Sequence, residues 1–257
     1  MPVASAPEPV AFASTSGAAA HVFAAELADA VLVDGEDGHH LQRGRRIRVG
    51  EAVTASDGFG RWRSYDVSKS DRGSIVLRVA GPLSREPSLT PGLAVAFALS
   101  KGSKPEHVVS DLTTLGVDRI LPFRSARSVV RWEGDRARSA TARLRRVARE
   151  AAMQCRRSWL PQVDEPVTVA GLATPGTVVV GDPTAATPAG FPDPVGGEWL
   201  VVVGAEGGLD PAELADLTSR PGAATMAVGP HVLRTETAAV ALAAVFAARR
   251  APIDHSA

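Results

Sequence analysis

The stretch that decides the fold is Val201-Val202-Val203-Gly204-Ala205-Glu206-Gly207-Gly208-Leu209-Asp210-Pro211-Ala212-Glu213-Leu214. A continuous apolar run reads as a strand buried on both faces, and it breaks into glycines before a helix begins. Asp210 is placed to cap that helix, with Pro211 at its first position and Glu213 at its third, the spacing of a capping box. Glycines at the carboxyl end of a strand let the backbone turn sharply and admit a ligand closely, so a side chain added at Gly207 is expected to occupy ligand space. The loop is neither G-x-G-x-x-G nor a Walker loop, which needs Lys followed by Ser or Thr. Its carboxylates would repel a phosphate, so it suits a nucleoside-like ligand without a phosphate chain.

A second strand–loop–helix unit follows. Thr225–Val228 reads as a strand, then Gly229-Pro230-His231-Val232-Leu233-Arg234-Thr235-Glu236-Thr237 as a loop, with Thr235 as the candidate cap of an Ala-rich helix reaching Arg250. That helix is too apolar for the surface and is expected between the sheet and another element. Two such units in tandem place both loops at one sheet edge, where open α/β sheets bind ligands.

Upstream, Leu93–Leu99, Val117–Pro122, Thr177–Val180 and Trp199–Val203 read as further strands. Pro105–Leu115, stopped by Gly116, and Ser139–Arg157 read as helices. The expectation is a mostly parallel α/β domain over 93–257. From 21 to 83 the pattern differs: Val31–Val33, Ile47–Val49, Ala52–Thr54 and Ser74–Val79 are short β-rich runs divided by turns, as in a small β-barrel. Residues 84–92 read as a linker and 1–20 as a disordered tail rich in Ala, Ser and Pro.

Composition narrows the partners. The 257 residues carry 28 basic and 28 acidic side chains, a net charge of zero that hides a partition. Residues 119–157 hold twelve Arg against three acids, whereas 160–257 hold four Arg against eleven. Such segregation makes a positive patch that attracts polyanions. The single cysteine, Cys155, excludes an internal disulfide, and the six His show no metal-ligand spacing. With no signal-peptide pattern and no apolar run long enough to cross a bilayer, a soluble cytoplasmic protein without metal or membrane partner is expected.

At this point the motifs resemble a known family. Gly204-Ala205-Glu206-Gly207-Gly208-Leu209 is similar to G-P-E-G-G-[LF], and Gly229 to Ala238 is similar to G-x-R-I-L-R-x-E-T-A. Both occur in the RsmE family of 16S ribosomal RNA uracil-N3 methyltransferases, of the SPOUT class. The resemblance extends to Lys101-Gly102-Ser103-Lys104, Leu115-Gly116-Val117, Ser125-Ala126-Arg127-Ser128 and Gln154-Cys155-x-Arg157. It also takes in His40-Leu41, Arg46 and Asp57-Gly58. The chain departs from the family pattern at Ala205 (usually Pro), His231 (Arg or Lys), Thr114 and Met153 (Glu), and at Gly44-Arg45, which replaces an apolar pair.

The resemblance implies a SPOUT domain with a C-terminal trefoil knot, a PUA-like barrel before it, and a homodimer. It implies S-adenosylmethionine bound by Gly181, Val203, Gly204, Ala205, Glu206, Gly207, Gly208, Val228, Gly229, Val232, Leu233 and Thr237. Arg234 is the candidate donor to the uracil oxygens as negative charge develops there. Glu206 or Glu236 is the candidate base, with Glu206 equally suited to orienting the cofactor. Arg43, Arg46, Lys101, Lys104, Arg124, Arg127, Arg143, Arg146 and Arg157 are the candidates for holding 16S ribosomal RNA or the small subunit. The arginine-rich segment is alternatively a subunit interface. The rival reading is a non-catalytic RNA-binding scaffold, which would be expected to lose Gly207-Gly208 or Arg234; both are present.

Overall fold

The computed structural model describes residues 11–39, 41–42, 46–101, 104–128, 130, 132–185 and 191–252. The chain forms two compact units, one from the residues up to Ser88 with Ala152–Leu160, the other from Leu89–Ala151 and Pro161–Pro252.

The first unit contains β1 (Ala20–Phe23), β2 (Ala30–Val33), the short helix α1 (Gly35–His39), β3 (Ala52–Ser56), β4 (Arg61–Asp71) and β5 (Ser74–Arg85). They form one sheet in the order β1-β3-β4-β5-β2, with β1 parallel to β3 and the other ladders antiparallel. The sheet encloses its own core of Val22, Val31, Val53, Tyr65, Ile75 and Leu77, among others. His21 is buried there, its two ring nitrogens hydrogen-bonded to Thr54 Oγ1 (2.8 Å) and Ser56 Oγ (2.9 Å), so it is a satisfied core residue.

Three expectations change. Ile47–Val49 forms no strand: Ile47 is buried by packing and its N–H donates to the Leu41 carbonyl. Strand β5 runs well past Val79, and β4, Arg61–Asp71, has no counterpart among the segments that pattern alone suggested. Residues 11–19, expected within a disordered tail, are held in place: Ala13 is fully buried, and the carbonyl of Ala11 accepts from Trp62 Nε1 at 2.7 Å. Once an indole N–H needs a buried acceptor, the chain that supplies it is no longer a free tail.

The second unit comprises β6 (Leu89–Thr90), β7 (Gly92–Ala98), α2 (Lys104–Thr114), β8 (Arg119–Arg124), α3 (Gly134–Cys155, its last turn counted with the first unit), β9 (Gln162–Val163), β10 (Val167–Thr168), β11 (Thr177–Gly181), β12 (Glu198–Val203), α4 (Pro211–Thr218), β13 (Ala224–Met226), α5 (Thr235–Ala247) and β14 (Ala251–Pro252). Its main sheet has the order β10-β8-β7-β12-β11-β13, with β9 also on β8, and every ladder in it is parallel. Alternate residues of the strands enter two cores. Leu93, Val95, Phe97, Val179 and Val201 face one side, which α2, α3 and α5 cover. Ala94, Ala96, Val178, Val180 and Val202 face the other, with Leu217 of α4. A sheet covered on both faces needs apolar residues at every position, which is why these strands read as unbroken runs. The segment 84–92 carries the end of β5, all of β6 and the first residue of β7.

Helix α3 begins earlier than its periodicity suggested, and it ends where Arg156 takes a left-handed φ of 59°. Its buried stripe is Ala137, Ala140, Thr141, Leu144, Ala148 and Ala151, with arginines on the other faces. Helix α5 buries Ala239, Leu242, Ala243 and Phe246 and lies between the sheet and α2, as its composition required.

Candidate active site

Because the sheet is parallel, the segments after β11, β12 and β13 leave it at the same edge, and these three strands are neighbours. Between the segments lies a cavity of about 270 Å³. Its walls are mainly apolar and backbone: Val180 and Gly181 from β11, Val203 to Glu206 and Gly208-Leu209 after β12, Met226 to Val228 after β13, then His231 to Leu233, Thr235, Ala238 and Leu242.

The loop after β12 is preorganised by its own hydrogen bonds. Gly208 N donates to the Ala205 carbonyl at 2.7 Å, with Gly208 at φ +74°, a conformation that favours glycine. Asp210 caps α4 as the sequence indicates: Oδ1 accepts from Ala212 N and Glu213 N at 2.8 Å, and Glu213 Oε2 accepts from Asp210 N at 3.0 Å. The other carboxyl oxygen of Glu213 accepts from Ala126 N at 2.7 Å, tying the loop after β8 to the same helix start. Arg127 donates from Nη1 to the Gly207 carbonyl at 2.5 Å and so braces the loop from outside.

The glycines divide by role. A Cβ at Gly204 would lie 3.0 Å from Leu209 N and 3.1 Å from Leu209 Cγ, so a side chain there fits only if Leu209 gives way by a few tenths of an ångström. A Cβ at Gly181 would meet Leu242 Cδ1 at 2.8 Å. At Gly207, by contrast, the Cβ direction meets only the Arg127 side chain, from 3.6 Å outward. The expectation that a side chain at Gly207 fills ligand space is therefore corrected: that position faces Arg127, and Gly204 is the tight one.

Thr235 is likewise not a cap. It is the first residue of α5, is buried, and its hydroxyl donates to the Gly204 carbonyl at 3.0 Å. That bond joins the two ligand loops directly, an interaction between segments too distant in sequence for local reasoning to find.

A cluster of charges sits beside the cavity. Lys104 Nζ lies 2.9 Å from Glu206 Oε1 and 3.3 Å from Glu236 Oε1. The ammonium holds the Glu206 carboxyl below the usual carboxylate range, with Arg234 adding to the effect, and the two carboxylates raise Lys104 above the usual lysine range. Glu236 Oε2 is buried and has no hydrogen-bond partner among the described residues. Arg234 is exposed and precedes α5 in an extended conformation. Sequence reading placed Lys104 with the RNA-facing residues; the structure puts it between the two candidate bases.

Of the expected cofactor residues, Gly181, Val203, Gly204, Ala205, Glu206, Gly208, Val228, Val232 and Leu233 line the cavity, whereas Gly207, Gly229 and Thr237 do not. Asp182, Met226, Ala227, His231 and Thr235 line it and were missed. The signal for Asp182 was its place one residue past a strand of the same sheet edge.

The RNA-facing candidates are dispersed. Arg143 pairs with Glu106 of α2, Arg124 with Glu133, and Arg46 and Lys101 are exposed. Arg146 and Arg157 engage other groups of the protein, and Arg43 lies outside the described residues. Among the described residues no group of three His, Cys, Asp or Glu could hold a metal, and no helix is long and apolar enough to cross a membrane.

A parallel sheet with a cavity at its carboxyl edge, preceded by a small β unit, is here matched to an RNA methyltransferase domain with a PUA domain before it. The family model for the RNA methyltransferase domain matches residues 88–247, and that for the RNA methyltransferase PUA domain matches 33–80. Ribosomal RNA small subunit methyltransferase E of Mycobacterium tuberculosis is 37% identical over 224 residues, covering 83% of this chain and 85% of that protein. The Bacillus subtilis protein of the same name is 31% identical over 228 residues, covering 83% and 88%. A methyltransferase from Legionella pneumophila, solved with its bound cofactor SAM, superposes with a TM-score of 0.77 at 24% identity, covering 89% of this chain and 97% of that one. The Neisseria gonorrhoeae ribosomal RNA small subunit methyltransferase E, bound to S-adenosyl methionine, gives 0.77 at 22% identity, covering 90% and 97%. The chain belongs to the ribosomal RNA small subunit methyltransferase E family.

Proposed function

We propose that this chain transfers a methyl group from S-adenosylmethionine to N3 of one uridine in the 16S ribosomal RNA of the small subunit. The observation that carries the reading is the cavity itself. Its apolar walls and close backbone suit an adenosine, and carboxylates rather than bare N–H groups stand at its lip, which suits a cationic ligand lacking phosphates. Bound there, the cofactor supplies an electrophilic methyl group on a sulfonium sulfur.

The chain's own residues must then handle one proton and one developing charge. N3 becomes nucleophilic when it loses its proton, and the charge spreads onto the uracil oxygens. Arg234, exposed beside the cavity, stabilises that charge. Of the two carboxylates, Glu206 is held ionised by Lys104, which suits it to orienting the cationic cofactor. Glu236, with one oxygen on Lys104 and the other without a partner, is the proton acceptor.

Residues 21–83 serve as the RNA-holding module and 93–257 as the catalytic domain. The protein acts as a cytoplasmic homodimer whose C-terminal segment is knotted in the manner of SPOUT enzymes. The test is nucleoside analysis of 16S ribosomal RNA incubated with the purified protein and labelled cofactor. Label in 3-methyluridine is expected; label in another nucleoside, or none, refutes the assignment.

A further inference from the structure

Away from the cavity, the first unit presents an arrangement that methyl transfer does not use. At the turn between β3 and β4, Phe59 is 73% exposed, among the most exposed large apolar side chains described. The turn that carries it is fixed. Asp57 Oδ1 accepts from Phe59 N at 2.7 Å and from Arg61 N at 3.1 Å, and Gly58 and Gly60 take φ of +84° and +90°. On its inner side the turn lies against Trp159: a Cβ at Gly60 would fall 2.4 Å from the indole ring. Leu160 N donates to the Gly58 carbonyl at 3.0 Å, Gly60 N to Ser158, and Glu86 N to the Gly60 carbonyl at 2.7 Å. A side chain on so constrained a turn is held out into solvent with little conformational freedom left to lose on binding.

Arginines stand beside it in the ladder. Arg61 and Arg85 are directly opposite partners in the β4–β5 ladder, a like-charge pairing that costs sheet stability. Arg85 also lies over the Trp159 ring, 5.7 Å from its centroid. The Asp57 carboxylate is engaged by the turn, and Glu86 is buried. An exposed aromatic ring with an arginine at the same end of the sheet is complementary to an unpaired nucleobase and an adjacent phosphate.

We propose that the 57–61 turn, with Arg85, is a stacking platform for an unpaired base of single-stranded RNA, Phe59 offering its ring and Arg85 meeting an adjacent phosphate. The proposal rests on the reading of the chain as an RNA-modifying enzyme, and it names how the first unit would contact that RNA.

The test uses the full-length protein and a fluorescein-labelled single-stranded oligouridine, titrated at several salt concentrations. Phe59→Ala is expected to weaken binding by about 5- to 100-fold, the range measured for loss of one base–aromatic stack, with the salt slope unchanged. Phe59→Tyr restores the affinity, since it keeps the ring. Arg85→Ala flattens the slope of log K against log salt by about 0.7, the loss of one phosphate contact to a single strand. Because Phe59 is exposed, its variants should melt with the wild type, which separates loss of contact from loss of fold. An unaltered affinity in Phe59→Ala overturns the platform, as does wild-type protein that fails to bind the oligonucleotide. A Phe59→Ala change in oligomeric mass with RNA affinity intact would reassign the patch to a protein partner. Methyl transfer by the wild type to 16S ribosomal RNA is measured in parallel. If transfer occurs while Phe59→Ala binds normally, only the platform fails; if transfer is absent, the enzymatic reading fails.

Discussion

Removing Arg250 should be the most damaging single change in the second unit. Its side chain is 0% exposed. Nε donates to the Pro91 carbonyl at 2.7 Å, Nη1 to the Gly116 carbonyl at 2.7 Å, and Nη2 to the Leu89 carbonyl at 3.1 Å as well as to Asp118. Asp118, 43% exposed, also accepts from Leu93 N at 3.0 Å, so a pair buried on its arginine side fastens the start of β7, the end of α2 and the β6–β14 pair. Burial pulls the guanidinium below the usual arginine range while Asp118 opposes the shift, so the pair stays charged and interdependent. Arg250→Ala removes the donor to three carbonyls, while Asp118, 43% exposed, keeps Leu93 N and can rehydrate. Leaving buried acceptors unsatisfied costs about 1–3 kcal/mol, so a loss of about 2–3 kcal/mol is expected. At roughly 2–4 °C per kcal/mol for a domain of this size, the melting temperature should fall by about 4–12 °C. Thermal unfolding followed by circular dichroism reads this directly. Arg250→Lys should recover less than half, because an ammonium cannot reproduce the planar fork that reaches three carbonyls. A drop under about 3 °C for Arg250→Ala would refute the reasoning and mean that water or neighbouring groups replace the fork.

Other substitutions probe the site and the first unit. Gly204→Ala should weaken S-adenosylmethionine binding about tenfold by calorimetry, since its Cβ pushes Leu209 and the loop it closes outward, whereas Gly207→Ala should stay within about twofold. Lys104→Met frees the Glu206 carboxyl to return toward the ordinary range, so its titration followed by NMR should move to higher pH; an unmoved titration would remove Lys104 from the control of that charge. Burial raises the Glu86 carboxyl above its unfolded value, so its contribution to stability is complete below the unfolded pKa and is lost as pH rises through the folded one. Glu86→Gln should therefore raise the melting temperature at pH 8 and leave it near wild type at pH 4, and a constant difference across that range would contradict this.

What the sequence disclosed and what it withheld follow from the range of the interactions involved. The parallel sheet was legible because strands covered on both faces are apolar at every position, as in Leu93-Ala94-Val95-Ala96-Phe97 and Val201-Val202-Val203. The capping box at Asp210 was legible because it closes within four residues. Strand β4 was not, because Trp62, Tyr65 and Val67 all point inward across an irregularity between Arg63 and Tyr65 that breaks the two-residue period.

The site divides along the same line. Its backbone is local: the turn after β12 and the glycines in it are written in six consecutive residues. Its electrostatics are not. Lys104 reads as one more cation near a basic segment, and only the fold reveals that it stands between carboxylates 102 and 132 residues further along. The same holds for Thr235, whose hydroxyl looked like a cap but reaches the Gly204 carbonyl 31 residues earlier. A single sequence can thus nominate the acids and the donor of this site, but only the fold brings one cation between both acids and leaves Glu236 Oε2 without a partner among the described residues. On that ground Glu236, rather than Glu206, is the carboxylate whose replacement by Gln should stop proton removal while leaving the cofactor cavity intact.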